Sequence, residues 1–220
     1  MQSWSALILA AGAGRRFGAG KSGAKLLAPL AGAPVIRRTV EAVVSAGLQD
    51  VVVATGAEHE AIAAALEGLA CRLVPTHDWG EGMAASLRTG LAALAPDARG
   101  VFVFLGDMPL VPVDLCSGLA TRAEAAGYAA RPRVSGTPGH PAAFTRAAFP
   151  DLARLSGDIG AAALLKGRSD GVAYIEIEAF GAVLDIDSPA DLAAAERVWN
   201  ACATSATSDS AISRGALPKP

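Results

Sequence analysis

The sequence predicts a three-layer α/β/α fold, with helices covering both faces of a mostly parallel sheet. Three observations predict it. Short apolar runs alternate with longer stretches of helical spacing along most of the 220 residues. The runs are apolar on both faces, which suits interior strands of a parallel sheet rather than half-solvated antiparallel ones. Such an alternation requires crossover connections, which are right-handed almost without exception.

The elements follow in order. Ala6–Ala11 is apolar throughout and ends at once in a glycine-rich turn, so it reads as the first strand. Pro34–Ala46 has helical periodicity with proline at its start, where the missing N–H costs nothing. Val51–Thr55 is a β-branched run, Glu58–Leu66 is amphipathic at helical spacing, and Cys71–Val74 is a short strand candidate. The glycines of Trp79–Met83 make it a loop, after which Ala84–Leu94 resumes helical spacing. Val101–Leu105 is again continuous and apolar, and stops at Gly106-Asp107. Tyr128–Phe144, rich in Pro, Gly and Arg, departs from the pattern and reads as a segment that leaves and rejoins the sheet. Asp151–Gly167 looks helical around a Gly-Asp-Ile-Gly turn, Val172–Ile177 strand-like, and Pro189–Asn200 a last helix capped by Ser188. The organisation is one domain over residues 1–203; residues 204–220 lack periodicity and read as a disordered tail.

Bulk properties narrow the function. A formal charge of -2 offers no basic face for nucleic acid. The longest apolar runs fall far short of the roughly 20 residues of a membrane span. Cys71, Cys116 and Cys202 fit neither a disulfide framework nor a metal-ligand spacing. The expectation is a soluble, cytoplasmic protein with reduced thiols, and with neither nucleic acid nor membrane as partner.

The chemistry concentrates where strands end. Leu9-Ala10-Ala11-Gly12-Ala13-Gly14-Arg15-Arg16-Phe17-Gly18 follows the first strand directly. Ligands of open parallel sheets sit beyond the carboxyl ends of the strands, and glycines there let successive N–H groups approach phosphate oxygens. Arg16 and Lys25 add cations for a triphosphate; the plain alternative is a tight turn with solvated arginines. Two better-known phosphate loops fail. Gly20-Lys21-Ser22 ends like a P-loop, but the required first glycine is Arg15. Gly12, Gly14 and Gly18 carry one residue too many for a dinucleotide fingerprint, which disfavours a nicotinamide oxidoreductase. Asp107, at the end of Val101–Leu105, is placed to hold Mg²⁺, or else caps the next helix. Asp185 and Asp187 end another short strand and offer a second carboxylate.

These residues resemble the nucleotidyltransferases with a molybdenum-cofactor guanylyltransferase-like (MobA-like) fold, and within them the molybdenum cofactor cytidylyltransferases. The likeness rests on LAAGAGRRFG with Lys25-Leu-Leu-Ala-Pro-Leu, then Trp79-Gly-Glu-Gly82-Met-Ala-Ala-Ser86, Gly106-Asp107-Met-Pro, Gly139-His140-Pro141, Gly157-Asp158-Ile-Gly160 and Asp185-Ile-Asp187-Ser-Pro, in the family's order. It implies a Rossmann-like fold of the nucleotide-diphospho-sugar transferase type, with a nucleotide half at about 1–110 and an acceptor part at about 111–203. It implies CMP transfer from CTP to molybdopterin with Mg²⁺, and a molybdoenzyme apoprotein as a further partner. Arg16, Lys25 and Asp107 become catalytic. Leu9, Ala10, Ala11, Gly12, Gly14, Arg15, Gly18, Lys21, Gly82 and Ser86 bind nucleotide. Gly139, His140, Pro141 and Asp158 face the acceptor. Asp107, Asp185 and Asp187 are the metal candidates. The chain departs from the family between Gly18 and Lys25, where the stretch is longer and makes Lys21 a rival to Lys25. It departs again after Gly160, where Ala161-Ala162 replaces Ala-Arg. A sugar 1-phosphate or alcohol phosphate acceptor, and a non-catalytic maturation chaperone, are the competing functions. A phosphate monoester is largely ionised at neutral pH, so an acceptor of this kind needs no general base.

Overall fold

The computed structural model describes residues 3–12, 17, 24–168 and 170–212, the side chains of Ala24 and 202–212 excepted. Of the residues singled out above, Gly14, Arg15, Arg16, Gly18 and Lys21 lie outside that set.

Strand β1 (Trp4–Ala10) opens the chain, followed by the single-turn helix α1 (Ala24–Leu27), the small antiparallel pair β2 (Pro29–Leu30) and β3 (Ala33–Pro34), and helix α2 (Val35–Ser45). Then come β4 (Val51–Thr55), α3 (His59–Ala65), β5 (Arg72–Pro75), α4 (Met83–Ala92) and β6 (Gly100–Leu105). The second half contributes α5 (Cys116–Ala126), β7 (Ala129–Val134), β8 (Thr137–Pro138), β9 (Ala142–Thr145), α6 (Phe149–Arg154), β10 (Val172–Glu176) and α7 (Pro189–Ile212).

The main sheet runs in the order β10-β7-β9-β6-β1-β4-β5, with β8 paired to β7. Strands β6, β1, β4 and β5 are mutually parallel, as are β7 and β10; β9 is antiparallel to both its neighbours, β6 and β7. The strict alternation of β1 fixes the layers. Ala6, Ile8 and Ala10 face α2, α3 and α5 through Ile36, Val40, Ile62 and Leu119. Leu7 faces the opposite way, against Leu87 of α4 and Leu152 of α6. Both faces of the central strands β1, β4 and β6 are therefore dry, which is why these strands read as unbroken apolar runs.

Several expectations shift. The Pro/Gly/Arg-rich stretch at 128–144 stays in the sheet and supplies β7, β8 and β9. The Gly-Asp-Ile-Gly turn expected within 151–167 divides that stretch, with Gly157 at φ +65°; it is preceded by helix α6, which starts at Phe149, and followed by a 3₁₀ turn at Ala161–Leu165 where a longer helix was expected. Trp79–Glu81, expected as loop, is a 3₁₀ turn. Helix α7 continues through Ile212 rather than ending at Asn200, so residues 204–212 differ from the aperiodic tail expected there. Residues 201–212 contain no Gly or Pro that would stop a helix. Its start is as expected: Asp191 N–H donates to Ser188 Oγ at 3.3 Å, and Ser188 N–H returns a bond to Asp191 Oδ2 at 2.8 Å. This is a reciprocal cap. No helix among the described residues is long and apolar enough to cross a membrane.

Candidate active site

The carboxyl ends of β1 and β6 set the position of the site. Gly106 N–H donates to the Leu9 carbonyl at 3.0 Å, closing the turn after β6 onto the end of β1. The Thr39 hydroxyl, buried in α2, donates to the Gly106 carbonyl at 2.9 Å. A Cβ on Gly106 would lie 2.9 Å from Ile36 Cδ1 and 3.1 Å from the Leu9 oxygen, so the turn packs tightly at this position. Asp107 is thereby held over the first loop. Its own carbonyl accepts from Ile186 N–H at 3.0 Å, which brings Asp185 and Asp187 to the same edge from a distant part of the chain. Ile186 is buried with Leu184, Leu30 and Val35, so the acids on either side of it turn outward.

Lys25 joins this cluster. Its Nζ donates to Asp107 Oδ2 at 2.6 Å and to Asp187 Oδ1 at 2.8 Å. Burial alone would lower the Lys25 pKa, but attraction and hydrogen bonding to Asp107, then Asp187, outweigh it and raise the ammonium above its ordinary value. Lys25 is charged at any physiological pH. Partial burial, with the charges of Asp107 and Asp187 nearby, raises Asp185 above the usual carboxylate range. Asp107 Oδ1 is buried and has no hydrogen-bond partner among the described residues.

These groups border a cleft of about 470 Å³ lined by Leu9–Gly12, Lys25, Leu26, Trp79–Met83, Ser86, Leu105, Asp107 and Asp158. Its far wall is built by glycines. Gly82 adopts φ +110°, and a Cβ there would lie 2.5 Å from the Gly157 backbone. The loop at 157–160 folds over the start of α4, where Ala84 N–H donates to the Gly157 carbonyl at 3.1 Å and Met83 N–H to Asp158 Oδ1 at 3.3 Å. Gly56, which the sequence reading passed over, presses on the first loop: a Cβ would sit 2.5 Å from the Ala11 carbonyl oxygen. Its place just after the β4 run was the available signal.

Of the residues expected at the site, the cleft brings together Leu9, Ala10, Ala11, Gly12, Lys25, Gly82, Ser86, Asp107 and Asp158. Asp187 reaches it through Lys25, whereas Asp185 is exposed beside the cluster. Gly139, His140 and Pro141 are not part of its wall. Gly139 is buried, and a Cβ on it would lie 2.6 Å from the Ala182 carbonyl oxygen, to which His140 N–H donates at 2.7 Å. The Arg131 guanidinium donates twice to the Gly139 carbonyl, at 2.9 and 3.1 Å. Burial, then the Arg131 charge, push the His140 imidazole down to about 4, so it is neutral at physiological pH. Asp158, expected at the acceptor, lines the cleft together with Gly82 and Ser86.

Comparison with known proteins gives three results. A family model described as the MobA-like NTP transferase domain matches residues 6–173. Among characterised proteins, a nicotine blue oxidoreductase of Paenarthrobacter nicotinovorans is 34% identical over 168 residues, 73% of this chain and 80% of that protein. A bifunctional IspD/IspF enzyme of Caulobacter vibrioides is 40% identical over 117 residues, 50% of this chain but only 28% of the enzyme. Among solved structures, a Mycobacterium sp. strain JC1 homologue of Mycobacterium tuberculosis Rv0371c superposes with TM-score 0.78 at 28% identity, covering 90% of this chain and 98% of that one. A structure described as a manganese complex of Rv0371c itself gives TM-score 0.69 at 25% identity, covering 89% of this chain and 98% of that one.

Proposed function

The chain belongs to the MobA-like NTP transferase domain family, and from that premise we propose that it transfers CMP from CTP to a molybdopterin-type phosphate with Mg²⁺, releasing pyrophosphate. The observation that carries the reading is the meeting of Lys25, Asp107 and Asp187 at the mouth of a glycine-walled cleft beyond the carboxyl ends of β1 and β6.

The residues present suit a hard divalent cation. The donor set is carboxylate oxygen, and Asp107 Oδ1 is a buried acceptor without a hydrogen-bond partner among the described residues. Among those residues no three His, Cys, Asp or Glu side chains gather as a full metal cage. Mg²⁺ keeps waters and uses one or two carboxylates, which Asp107 and Asp187 could supply, together with substrate phosphates. Asp107 and Asp187 would hold it, with Asp185 alongside. The ion would neutralise charge on the triphosphate as the leaving group departs.

The chain's own groups do the rest. An acceptor phosphate oxygen attacks the α-phosphorus, the bond from that phosphorus to the bridging oxygen breaks, and the electron pair leaves with pyrophosphate. Lys25 meets the polyphosphate as a point charge, with Ala11 and Gly12 in the cleft wall beside it. Gly82, Ser86 and Asp158 border the space for base and ribose. His140, neutral and turned toward the Val103 carbonyl, supports the acceptor side without moving a proton. Catalysis is positioning and charge neutralisation.

Turnover of α-labelled CTP, GTP and UTP with molybdopterin or with sugar 1-phosphates tests this, reading label transfer and pyrophosphate. The expected result is CMP on molybdopterin. Label on a sugar phosphate transfers the same chemistry to another acceptor, and no pyrophosphate from any pair refutes the reading. A second reading follows from the 34% likeness to nicotine blue oxidoreductase. A redox change of nicotine blue in the presence of the protein, with no nucleotidyl transfer to any acceptor, would favour it.

A further inference from the structure

Lys25 occupies the place between two carboxylates that a divalent cation would need. Its ammonium takes Asp107 Oδ2 at 2.6 Å and Asp187 Oδ1 at 2.8 Å, one oxygen from each acid. The side chains of Lys25 and Asp107 are only 15% and 16% exposed, so solvent screens the contact far less than it would an open surface pair. We propose that Lys25 is a removable counter-ion, which keeps the Asp107–Asp187 pair closed to a divalent cation until a polyphosphate draws the ammonium away. The inference rests on the nucleotidyl-transfer reading and adds an order of assembly to it.

The physical argument is one of competition. An ammonium and a divalent cation cannot share the same carboxylate oxygens without strong mutual repulsion at such distances. Taken together, one lysine and two aspartates carry a charge of -1, so a dication arriving alone meets a pair already half neutralised. A triphosphate changes the balance, because it offers the ammonium a denser negative charge and offers the cation phosphate oxygens. Lysine is suited to the exchange. Its four-carbon stem turns freely and its charge is compact, whereas an arginine fork would hold a carboxylate in a fixed two-point grip. Asp107 Oδ1, buried and without a partner among the described residues, is left over by the lysine contact and awaits a ligand. The backbone bond from Ile186 to Asp107 keeps the two acids together when the ammonium leaves.

The consequence is that metal and nucleotide bind cooperatively, and that the cooperativity resides in one side chain. The test is Mn²⁺ titration of the full chain, with the free ion read by its paramagnetic resonance signal and no nucleotide present. Wild type, Lys25→Met and Lys25→Arg are compared, each first shown to unfold cooperatively. Lys25→Met is expected to bind Mn²⁺ at least tenfold more tightly than wild type. Lys25→Arg keeps the counter-ion and should bind no more tightly than wild type. With an α,β-methylene triphosphate added, wild type should take up protein-bound Mn²⁺ together with labelled analogue, and the gap between wild type and Lys25→Met should narrow. If Lys25→Met binds Mn²⁺ no better than wild type while wild type still binds metal and analogue together, the counter-ion role is refuted and the transferase reading stands. If wild type binds neither metal nor analogue, both fall.

Discussion

Two stretches of the same sheet edge meet the problem of buried charge in opposite ways. Above β1 and β6, the Lys25 ammonium keeps its charge, with a carboxylate oxygen of Asp107 and of Asp187 each within 3 Å. Above β7 and β9, the imidazole of His140 loses its charge, since burial and the nearby Arg131 make protonation unfavourable. The first arrangement can be taken apart by a ligand that supplies better partners. The second cannot, because its contacts are backbone carbonyls: Gly139 to Arg131, Ala182 to His140 N–H. One edge is built for exchange, the other for holding shape. The imidazole of the Gly139-His140-Pro141 motif is therefore buried and neutral at physiological pH.

The contrast can be broken at four points, from the largest expected effect downward. Asp107→Asn should lower the rate of transfer by about 10²–10³-fold, by analogy with the loss of one preorganised electrostatic group. It should leave the melting temperature almost unchanged, because the sheet below does not depend on it. Pyrophosphate release and calorimetry together check this; a large fall in stability with normal turnover would reverse the roles of the two edges.

His140 gives the next effect. Folded, it titrates at about 4 rather than 6.5, so between those values the unfolded chain binds a proton that the folded one refuses. The stability contributed is complete above pH 6.5 and is lost as pH falls toward 4, at most about 3 kcal/mol for the whole span. Urea unfolding of wild type and His140→Gln across that range should show a shallower pH dependence in the variant, with activity at pH 7.5 little changed.

Gly139→Ala comes third. Its Cβ would lie 2.6 Å from the Ala182 carbonyl oxygen, a backbone atom that cannot step aside without moving the 180–187 segment. A cost of roughly 1–3 kcal/mol is expected, seen as a lower denaturant midpoint. Ser188→Ala is the smallest. Loss of the bond from Asp191 N–H should cost about 1 kcal/mol at the start of α7, read by thermal unfolding.

Much of the nucleotide side was legible in the chain. Leu7 and Ile8 point to opposite faces and both are fully buried, so β1 could only read as an interior strand. Asp107 was visible because it follows such a run. The acceptor side was less legible, since β9 enters the sheet antiparallel between β6 and β7 and its pairing depends on contacts made across dozens of residues. The same reason hid the choice between Asp185 and Asp187. Both end the same short run, and Lys25, from a distant part of the chain, takes Asp187. The extra residues between Gly18 and Lys25 left Lys21 as a rival; Lys21 lies outside the described residues, and among those Lys25 reaches the carboxylates.

Ile186 has a consequence out of proportion to its chemistry. It is fully buried, its N–H anchors Asp107, and an acid flanks it on either side. The aim of both aspartates is thus set by how deeply one greasy side chain seats itself beneath them. Ile186→Val should lower the melting temperature by a few degrees, about 1 kcal/mol, and lower the rate of transfer with it, as calorimetry and pyrophosphate release would read.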